Sequence, residues 1–190
     1  MILASIKPYY YYLIAEEKKK IEVRKMALKN LPQDIVFYMS KDEKSFAKIP
    51  KEFQEKYRKH FGKVGLAIVC DKITRYNCDK AFDEYFIAGY IGAYIPLKEM
   101  CLANKDLIEY GKGRPLYGWH ISDLKIYDKP KELSDFISPS KVKKCVDYCI
   151  NGICSNLGYE ELCGAIRRCE YKKLTRPPQS WQYVEELGNE

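Results

Sequence analysis

Short segments in which apolar and polar residues alternate recur through the chain, and they limit the fold more than any other feature of the sequence. Successive side chains of an extended strand point to opposite faces, so a period of two predicts a strand with one buried face. The predicted strands lie in ILASIKP, KIEVR, LPQDIVFYMS, GKVGLAIVCDKI, GWHISDLKIYDKPKELSDF and a closing WQYVEEL. GKVGLAIVCDKI is the most apolar of these segments and is expected at the centre of the sheet.

The fifth of these segments changes phase along its length. Trp119 and Ile121 alternate in one register, and Leu124 and Ile126 follow one step out of phase. A slip of this kind predicts a β-bulge. The Lys-Pro pair at 129–130 then predicts a turn into a short return segment.

Two segments between the predicted strands have helical spacing. Pro8 suits the first turn of a helix through YYYYLIAEEKK. The expected buried stripe of this helix contains Tyr9, Tyr10, Leu13 and Ile14. The second segment is IPKEFQEKYRKHF. Short strands with interspersed helices predict an α+β fold, a small mixed or antiparallel β-barrel decorated with helices.

The length of the chain favours a single domain that carries insertions. Its 190 residues (22.3 kDa) are enough for one real core and few for two full domains. Helical insertions are expected in the middle of the chain, at about 79–112, and before the last strand, where a cysteine-rich segment spans about 138–174.

Charge and composition favour some partners and one compartment. A net charge of +7 favours polyanions such as RNA or DNA without requiring them. Seventeen tyrosines suit half-exposed surfaces, including surfaces that hold bases. The amino terminus has no basic leader before an apolar run, and its longest apolar stretch is far short of a bilayer span. We therefore expect a cytoplasmic protein with no membrane association.

A dense run of charges, EEKKKIEVRK, occupies residues 16–25. If residues 20–24 form a strand, Ile21 and Val23 face the core, while Lys20, Glu22 and Arg24 share the other face. An acid between two bases can present oriented donors to an anionic or amide-bearing ligand. The alternative is a solvated edge strand that its charges protect from aggregation.

Five of the eight cysteines fall within 25 residues. They are Cys145, Cys149, Cys154, Cys163 and Cys169, and in a reducing cytoplasm they are expected as thiols or metal ligands. Four thiolates could share one structural zinc, although the spacing lacks a C-x2-C knuckle. The alternative, slightly favoured because the spacing is irregular, is an amphipathic helical pair in which Val142, Cys145 and Cys149 face the core. No other cofactor is expected.

Three segments, taken in order, resemble the ASCH domain, a compact β-barrel of the PUA-like superfamily. SIKPYYYYLIAEEKKKIEVRK carries an S-I-K-P-x-Y opening and a K-x-x-E-x-R signature on Lys19, Glu22 and Arg24. GLAIVCDKI resembles an apolar family strand, and WHISDLKIYDKP at 119–130 resembles a late one. The resemblance covers the two ends of the barrel and leaves the middle and the cysteine-rich region as insertions.

The resemblance implies a role directed at RNA or nucleotides. ASCH domains are generally regarded as RNA-binding, through a cleft where the first helix meets the barrel. Lys7, Lys19, Glu22 and Arg24 would form its polar walls. The wider family includes a nuclease and an amidohydrolase that acts on N4-acetylcytidine with a lysine, a threonine and a glutamate. Lys19 matches that lysine, but Glu22 occupies the threonine position, so Lys19 and Glu22 are candidate catalytic residues only if the protein is an enzyme.

A second candidate surface lies in LTRPPQSWQYVEEL. Its two prolines hold Arg176 and Gln179 on a stiff loop, and Trp181 begins a strand expected beside the amino-terminal strand in a closed barrel. Trp119, His120 and Tyr183 could stack on a base, and Trp181 is a further candidate ligand-binding residue. A tryptophan in so small a barrel is more often part of the core, and a strand histidine is more often structural.

These observations lead to three ordered hypotheses. The first is a module that binds RNA or a nucleotide-containing ligand, because a lysine and an arginine can clamp a phosphate while a carboxylate accepts from an exocyclic amine. The second is a hydrolase of the same fold, either a ribonuclease or an acylated-nucleoside amidohydrolase, for which Lys19 and Glu22 would need a second carboxylate within hydrogen-bond reach. The third is a protein-binding adaptor with an unknown partner.

Overall fold

The computed structural model describes residues 1–77, 96–145 and 169–187, with the backbone alone for 139–145 and 169–172. The strands are β1 (Ile2–Ile6), β2 (Ile21–Arg24), β3 (Gln33–Met39), β4 (Val64–Tyr76), β5 (Leu116–Lys131), β6 (Phe136–Cys145), β7 (Cys169–Lys173), β8 (Trp181–Tyr183) and β9 (Glu185–Glu186). The helices are α1 (Pro8–Ala15), α2 (Glu43–Phe46), α3 (Lys51–Arg58), α4 (Leu97–Met100) and α5 (Asn104–Gly111). Leu133–Asp135 form a turn of 3-10 helix.

Six strands form one curled sheet in the order β2-β5-β4-β3-β1-β8. The β1·β3 pair is parallel and the other pairs are antiparallel. Three register shifts between β4 and β5 increase the local twist and bend these two long strands. The sheet is therefore a half-barrel, in which β2 and β8 remain edges instead of closing the predicted barrel. Beside it, β6 pairs with β7 and β9 in a second sheet.

The principal core lies between the concave face of the large sheet and helices α1, α2 and α3. Ile35, Phe37 and Met39 of β3 point into it, as the period of two predicts, and so does Trp119 of β5. A second cluster covers the other face of the sheet with Leu3, Val36, Tyr38, Val64, Phe136 and Val184. Burial of each large apolar side chain contributes about 1.5–3 kcal/mol, so these two layers dominate the stability.

Several sequence predictions are confirmed. The fold class is α+β, Pro8 is the first residue of α1, β4 is an interior strand, and β8 pairs with β1. The predicted bulge is present, since Val69 pairs with Ser122 while Ala67 pairs with Lys125.

Three local predictions are wrong. Helix α1 buries Leu13 and Ile14 as predicted, but it buries Tyr11 and Tyr12 more deeply than the predicted Tyr9 and Tyr10, because it is covered on two sides. Strand β5 continues through Lys129 and Pro130, which lie in a register shift against β4 where a proline is tolerated, and the chain turns only at the 3-10 helix. The segment from Val142 to Cys145 belongs to β6 and is not helical.

The two predicted insertions are described only in part. Residues 96–112 of the first contain α4 and α5, as expected, and residues 78–95 lie outside the described chain. The second contains the paired strands β6 and β7, and residues 146–168 lie outside the described chain. Whether these segments form one domain with the barrel stays a prediction. None of the helices that the structure describes is long and apolar enough to span a membrane.

Candidate functional site

A cavity of about 390 Å³ opens where the end of β1 and the start of α1 meet β2 and α5. It lies beside the gap between the two ends of the curled sheet. We call it the charged cleft. Its lining residues are Ser5, Ile6, Lys7, Tyr10, Lys19, Glu22, Val23, Arg24, Ser40, Leu102, Asp106, Tyr110 and Gln179.

Strand β2 supplies the central charges of the charged cleft because its alternation separates charged from apolar side chains. Ile21 and Val23 pack in a cluster with residues of α4, α5 and β5. Glu22 and Arg24 lie on the opposite side and are only 7% and 6% exposed. The alternative of a solvated strand face is therefore wrong for these two residues. Lys20, expected on the same face, is exposed and pairs with Glu17 instead.

Lys19, Glu22 and Arg24 form a buried ion cluster. Glu22 Oε1 lies 3.0 Å from Arg24 Nε, and Glu22 Oε2 lies 3.6 Å from Lys19 Nζ. Lys19 Nζ also donates to the carbonyl of Met100. One carboxylate thus stands between two cations, which leaves net positive charge beside the cavity while Lys19 is protonated. A buried excess charge of this kind favours an anionic ligand.

Arg24 spans the gap between the edges of the large sheet. Its Nη2 donates to the carbonyl of Ser5 at 2.8 Å, and its Nη1 contacts the carbonyl of Ser180 at 3.5 Å. Its guanidinium also lies over the ring of Trp119, 5.6 Å from the ring centroid. Arg24 therefore places a positive charge beside the charged cleft and also joins β2 to the β1–β8 end of the sheet.

Two residues that line the charged cleft each have a buried polar side-chain atom with no hydrogen-bond partner among the described residues. These atoms are Arg24 Nε, whose approach to Glu22 lacks hydrogen-bond geometry, and Ser40 Oγ. Buried donors and acceptors in folded proteins are nearly always satisfied, and each exception calls for a missing partner. A ligand with hydrogen-bonding groups would supply one.

Burial shifts the pKa of three titrating groups in the charged cleft, and for Tyr110 it raises the pKa of the hydroxyl. Burial lowers the pKa of the Lys19 amine, although the Glu22 carboxylate acts in the opposite direction. Burial raises the pKa of the Tyr10 hydroxyl, and the carboxylates of Asp106 and Glu22 raise it further. The hydroxyl of Tyr10 therefore remains a hydrogen-bond donor at neutral pH.

Comparison with known proteins identifies the fold. The crystal structure of ASCH from Zymomonas mobilis matches with a TM-score of 0.50 and 14% sequence identity, over 97% of this chain and 87% of that one. A tyrosine-to-phenylalanine mutant of the same protein matches with a TM-score of 0.51 and 14% identity, over 97% and 89% of the two chains. This chain has an ASCH-like fold. No protein-family profile and no curated protein matches the sequence.

Within the ASCH-like fold, five of the predicted site residues line one cavity. They are Lys7, Lys19, Glu22, Arg24 and Gln179. Lys7 and Gln179 are exposed at its rim.

The other predicted site residues lie outside the charged cleft. Trp119 is fully buried, and its indole N–H donates to the carbonyl of Met26. Trp181 packs edge-on against Trp119. His120 forms a 2.8 Å hydrogen bond with Thr74, and burial lowers the pKa of its imidazole. Arg176 is exposed on the loop that precedes β8.

Sequence reasoning did not select several side chains that line the charged cleft, and the polar ones are Ser5, Tyr10, Ser40, Asp106 and Tyr110. Tyr10 is the tyrosine of the S-I-K-P-x-Y opening, so a signal for it was present. Asp106 and Tyr110 are four residues apart on α5 and share one helix face, but nothing in the local sequence places that face over β2.

The predicted zinc site is described only in part. Cys145 of β6 and Cys169 of β7 are paired in register, and Cys149, Cys154 and Cys163 lie outside the described residues. No cluster of metal-ligating side chains occurs within the described ranges. The zinc stays a prediction.

Proposed function

We propose that the charged cleft binds RNA or a nucleotide-containing ligand. The observation that supports this most directly is the buried Lys19–Glu22–Arg24 cluster beside a cavity of about 390 Å³. That volume lies in the range of pockets for small ligands. One carboxylate between two buried cations leaves an excess positive charge that is costly to bury, and an anionic ligand would offset it.

Each wall of the charged cleft suits a different part of a nucleotide. Lys7, exposed at the rim, suits the phosphate as a mobile point charge. Tyr10 and Tyr110 line the cavity, and their aromatic rings suit contact with a base. Glu22 retains acceptor capacity beyond its two cations and suits an exocyclic amine.

A hydrolase of the same fold is the second candidate, and Lys19 gives it specific support. Burial lowers the pKa of its amine, as a nucleophile or general base requires. A second carboxylate, that of Asp106, also lines the charged cleft. However, Asp106 accepts a hydrogen bond from the backbone of Ala103 at 3.0 Å and so caps α5. Because this carboxylate already has a structural role, binding remains the preferred proposal.

Calorimetric titration with the four nucleoside monophosphates tests the proposal. Lys7→Ala should weaken binding about fivefold, which corresponds to the loss of roughly 1 kcal/mol from one charged contact. Lys51→Ala is the matched control, since Lys51 is also an exposed lysine beside a proline at a helix start. If no nucleotide binds, or if both variants lose the same affinity, the proposal is wrong.

A second pair of variants tests the base contact in the same titration. Tyr110→Leu should weaken binding about fivefold or more, because base–aromatic stacking contributes about 1–3 kcal/mol. Tyr183→Leu is the control, since Tyr183 has the same exposed fraction, 39% against 40%, and lies outside the charged cleft. Turnover of labelled RNA or an N-acylated cytidine that disappears in Lys19→Met would favour the hydrolase instead.

A further inference from the structure

A second cavity of about 550 Å³ lies next to the charged cleft and shares one residue with it. It is lined by Tyr38, Ser40, Lys41, Gly62, Glu132, Leu133, Ser134, Thr175 and Pro177. The shared residue is Ser40. Both cavities are large enough for one nucleotide, by the usual volume of ligand pockets.

One loop forms a wall of both cavities. Thr175 and Pro177 line the second cavity, and Gln179 lines the charged cleft. Two consecutive prolines stiffen this loop, and the hydroxyl of Ser5 donates to the carbonyl of Pro178 at 2.6 Å. The wall is therefore held in place by β1 and loses little conformational entropy when a ligand binds.

The junction between the cavities carries an unsatisfied polar group. The backbone N–H of Ser40 donates to the carbonyl of Ile6 at 2.9 Å, which fixes the residue beside the end of β1. Its hydroxyl oxygen is buried and has no partner among the described residues. A hydroxyl at this junction can donate to a phosphate oxygen that passes from one cavity to the other.

Lys41 supplies an unpaired cation to the second cavity. Its side chain lies across Gly62, where an added Cβ would come within 2.4 Å of Lys41 Cε. Gly62 also has a φ of +77°, which favours glycine. The carboxylate of Glu132 is paired with Lys63 at 2.7 Å, and Lys41 has no ion-pair partner among the residues that the structure describes. Arg176, between Thr175 and Pro177, adds a second cation nearby.

We infer that the charged cleft and the second cavity together hold two consecutive nucleotides of a single RNA strand, with the linking phosphate at Ser40. This inference rests on the proposed function and extends it from a nucleotide to a polymer. A single strand fits because unpaired bases can enter separate pockets while the backbone follows the cations. A mononucleotide in the charged cleft would leave Lys41, which lines only the second cavity, without a ligand contact.

Fluorescence anisotropy with labelled mono-, di- and trinucleotides tests the inference. The dinucleotide should bind about tenfold more tightly than the mononucleotide, in line with one added base and one added phosphate contact. The trinucleotide should add little further affinity. In Lys41→Ala the gain from the second nucleotide should fall to about twofold, and Ser40→Ala should also reduce it.

Lys44→Ala is the control for general charge loss, because Lys44 is exposed on the nearby helix α2 and lines neither cavity. It should leave the tenfold ratio unchanged. If mononucleotides bind and the dinucleotide shows no gain, the inference is wrong and the proposed function stands. If the gain survives both Lys41→Ala and Ser40→Ala, the strand does not cross the second cavity. If neither ligand binds, the proposed function itself is wrong.

Discussion

Lys19 carries a charge that the protein almost encloses. Because burial lowers the pKa of its amine, the folded state holds fewer protons at this site than the unfolded state between the lowered pKa and the usual value of 10.5. The free energy of unfolding should therefore rise with pH through that window. Lys19→Met lacks this titration, so the stability of the wild type relative to the variant should increase with pH. Urea unfolding between about pH 7 and pH 10 measures the difference.

Lys20→Met provides the control for this measurement. Lys20 is the next residue, has a side chain that is 49% exposed, and pairs with Glu17 on the surface. Its substitution removes the same charge from the chain without removing a buried one. The stability difference should then change little with pH. A flat difference for Lys19→Met, or the same slope for both variants, would contradict the enclosed position of Lys19.

The side chains of the charged cleft differ in how far the sequence predicts them. Glu22 and Arg24 could be placed together because a period of two puts them on one strand face, and the resemblance to a known signature added Lys19. Tyr110 could not be placed, because it comes from α5 and reaches the cavity through tertiary packing of that helix on Val23 and its neighbours. Local patterns specify which face of an element is polar, and long-range packing decides which faces meet.

The end of helix α3 meets strand β4 at a contact that requires glycine. A Cβ on Gly65 would lie 2.0 Å from His60 Nδ1 and 2.7 Å from the hydroxyl of Tyr11. These two groups are hydrogen-bonded to each other at 2.9 Å and are buried, so they have little room to move. Gly65→Ala should therefore lower the free energy of unfolding by about 1–3 kcal/mol. Urea denaturation at neutral pH measures the loss.

A double-variant cycle separates this clash from a general effect on β4. In a His60→Ala background the imidazole is absent, so the loss caused by Gly65→Ala should shrink. The comparison needs four proteins, the wild type, the two single variants and the double variant. Additive losses would mean that the contact between Gly65 and His60 does not carry the effect.

Strand positions follow from the sequence more closely than the buried sides of the helices do. The alternation in QDIVFYM predicts both the strand and the face that Ile35, Phe37 and Met39 present to the core. The buried face of α1 could not be predicted from its sequence pattern in the same way. Tyr12 packs between the sheet side and helix α3, with its ring centroid 5.4 Å from that of Phe53 and 5.7 Å from that of Tyr57. A helix covered on two sides has no single apolar stripe.

The order of the strands brings the two ends of the described chain together. β8 pairs with β1, and β1 pairs in parallel with β3, so the edge near the charged cleft forms only when distant segments meet. The pairing of β8 with β1 could be predicted from the resemblance to a barrel. The full order could not, because periodicity identifies strands without identifying their neighbours. This order places β2 and β8 at opposite ends of the sheet, and Arg24 spans the gap between these ends.

The net charge of +7 offers a competing explanation for any RNA binding, in which the whole surface attracts a polyanion. The two explanations differ in their salt dependence. For single strands the slope of log K against log salt is about −0.7 per phosphate contacted. Two phosphates in the proposed site predict a slope of about −1.4 that stops growing once the oligonucleotide exceeds a few residues. Attraction by the whole surface predicts a slope that continues to steepen with oligonucleotide length.

A pair of lysine variants makes this distinction at constant net charge. Lys7→Ala and Lys51→Ala remove one positive charge each, so they change the overall field of the molecule almost equally. Of these two lysines, Lys7 lines the charged cleft and Lys51 does not. Anisotropy titrations from about 50 to about 200 mM salt should therefore show the slope reduced by about 0.7 in Lys7→Ala and unchanged in Lys51→Ala. Equal slopes in the two variants would show that binding follows the total charge, and a localised site would then no longer be needed to explain it.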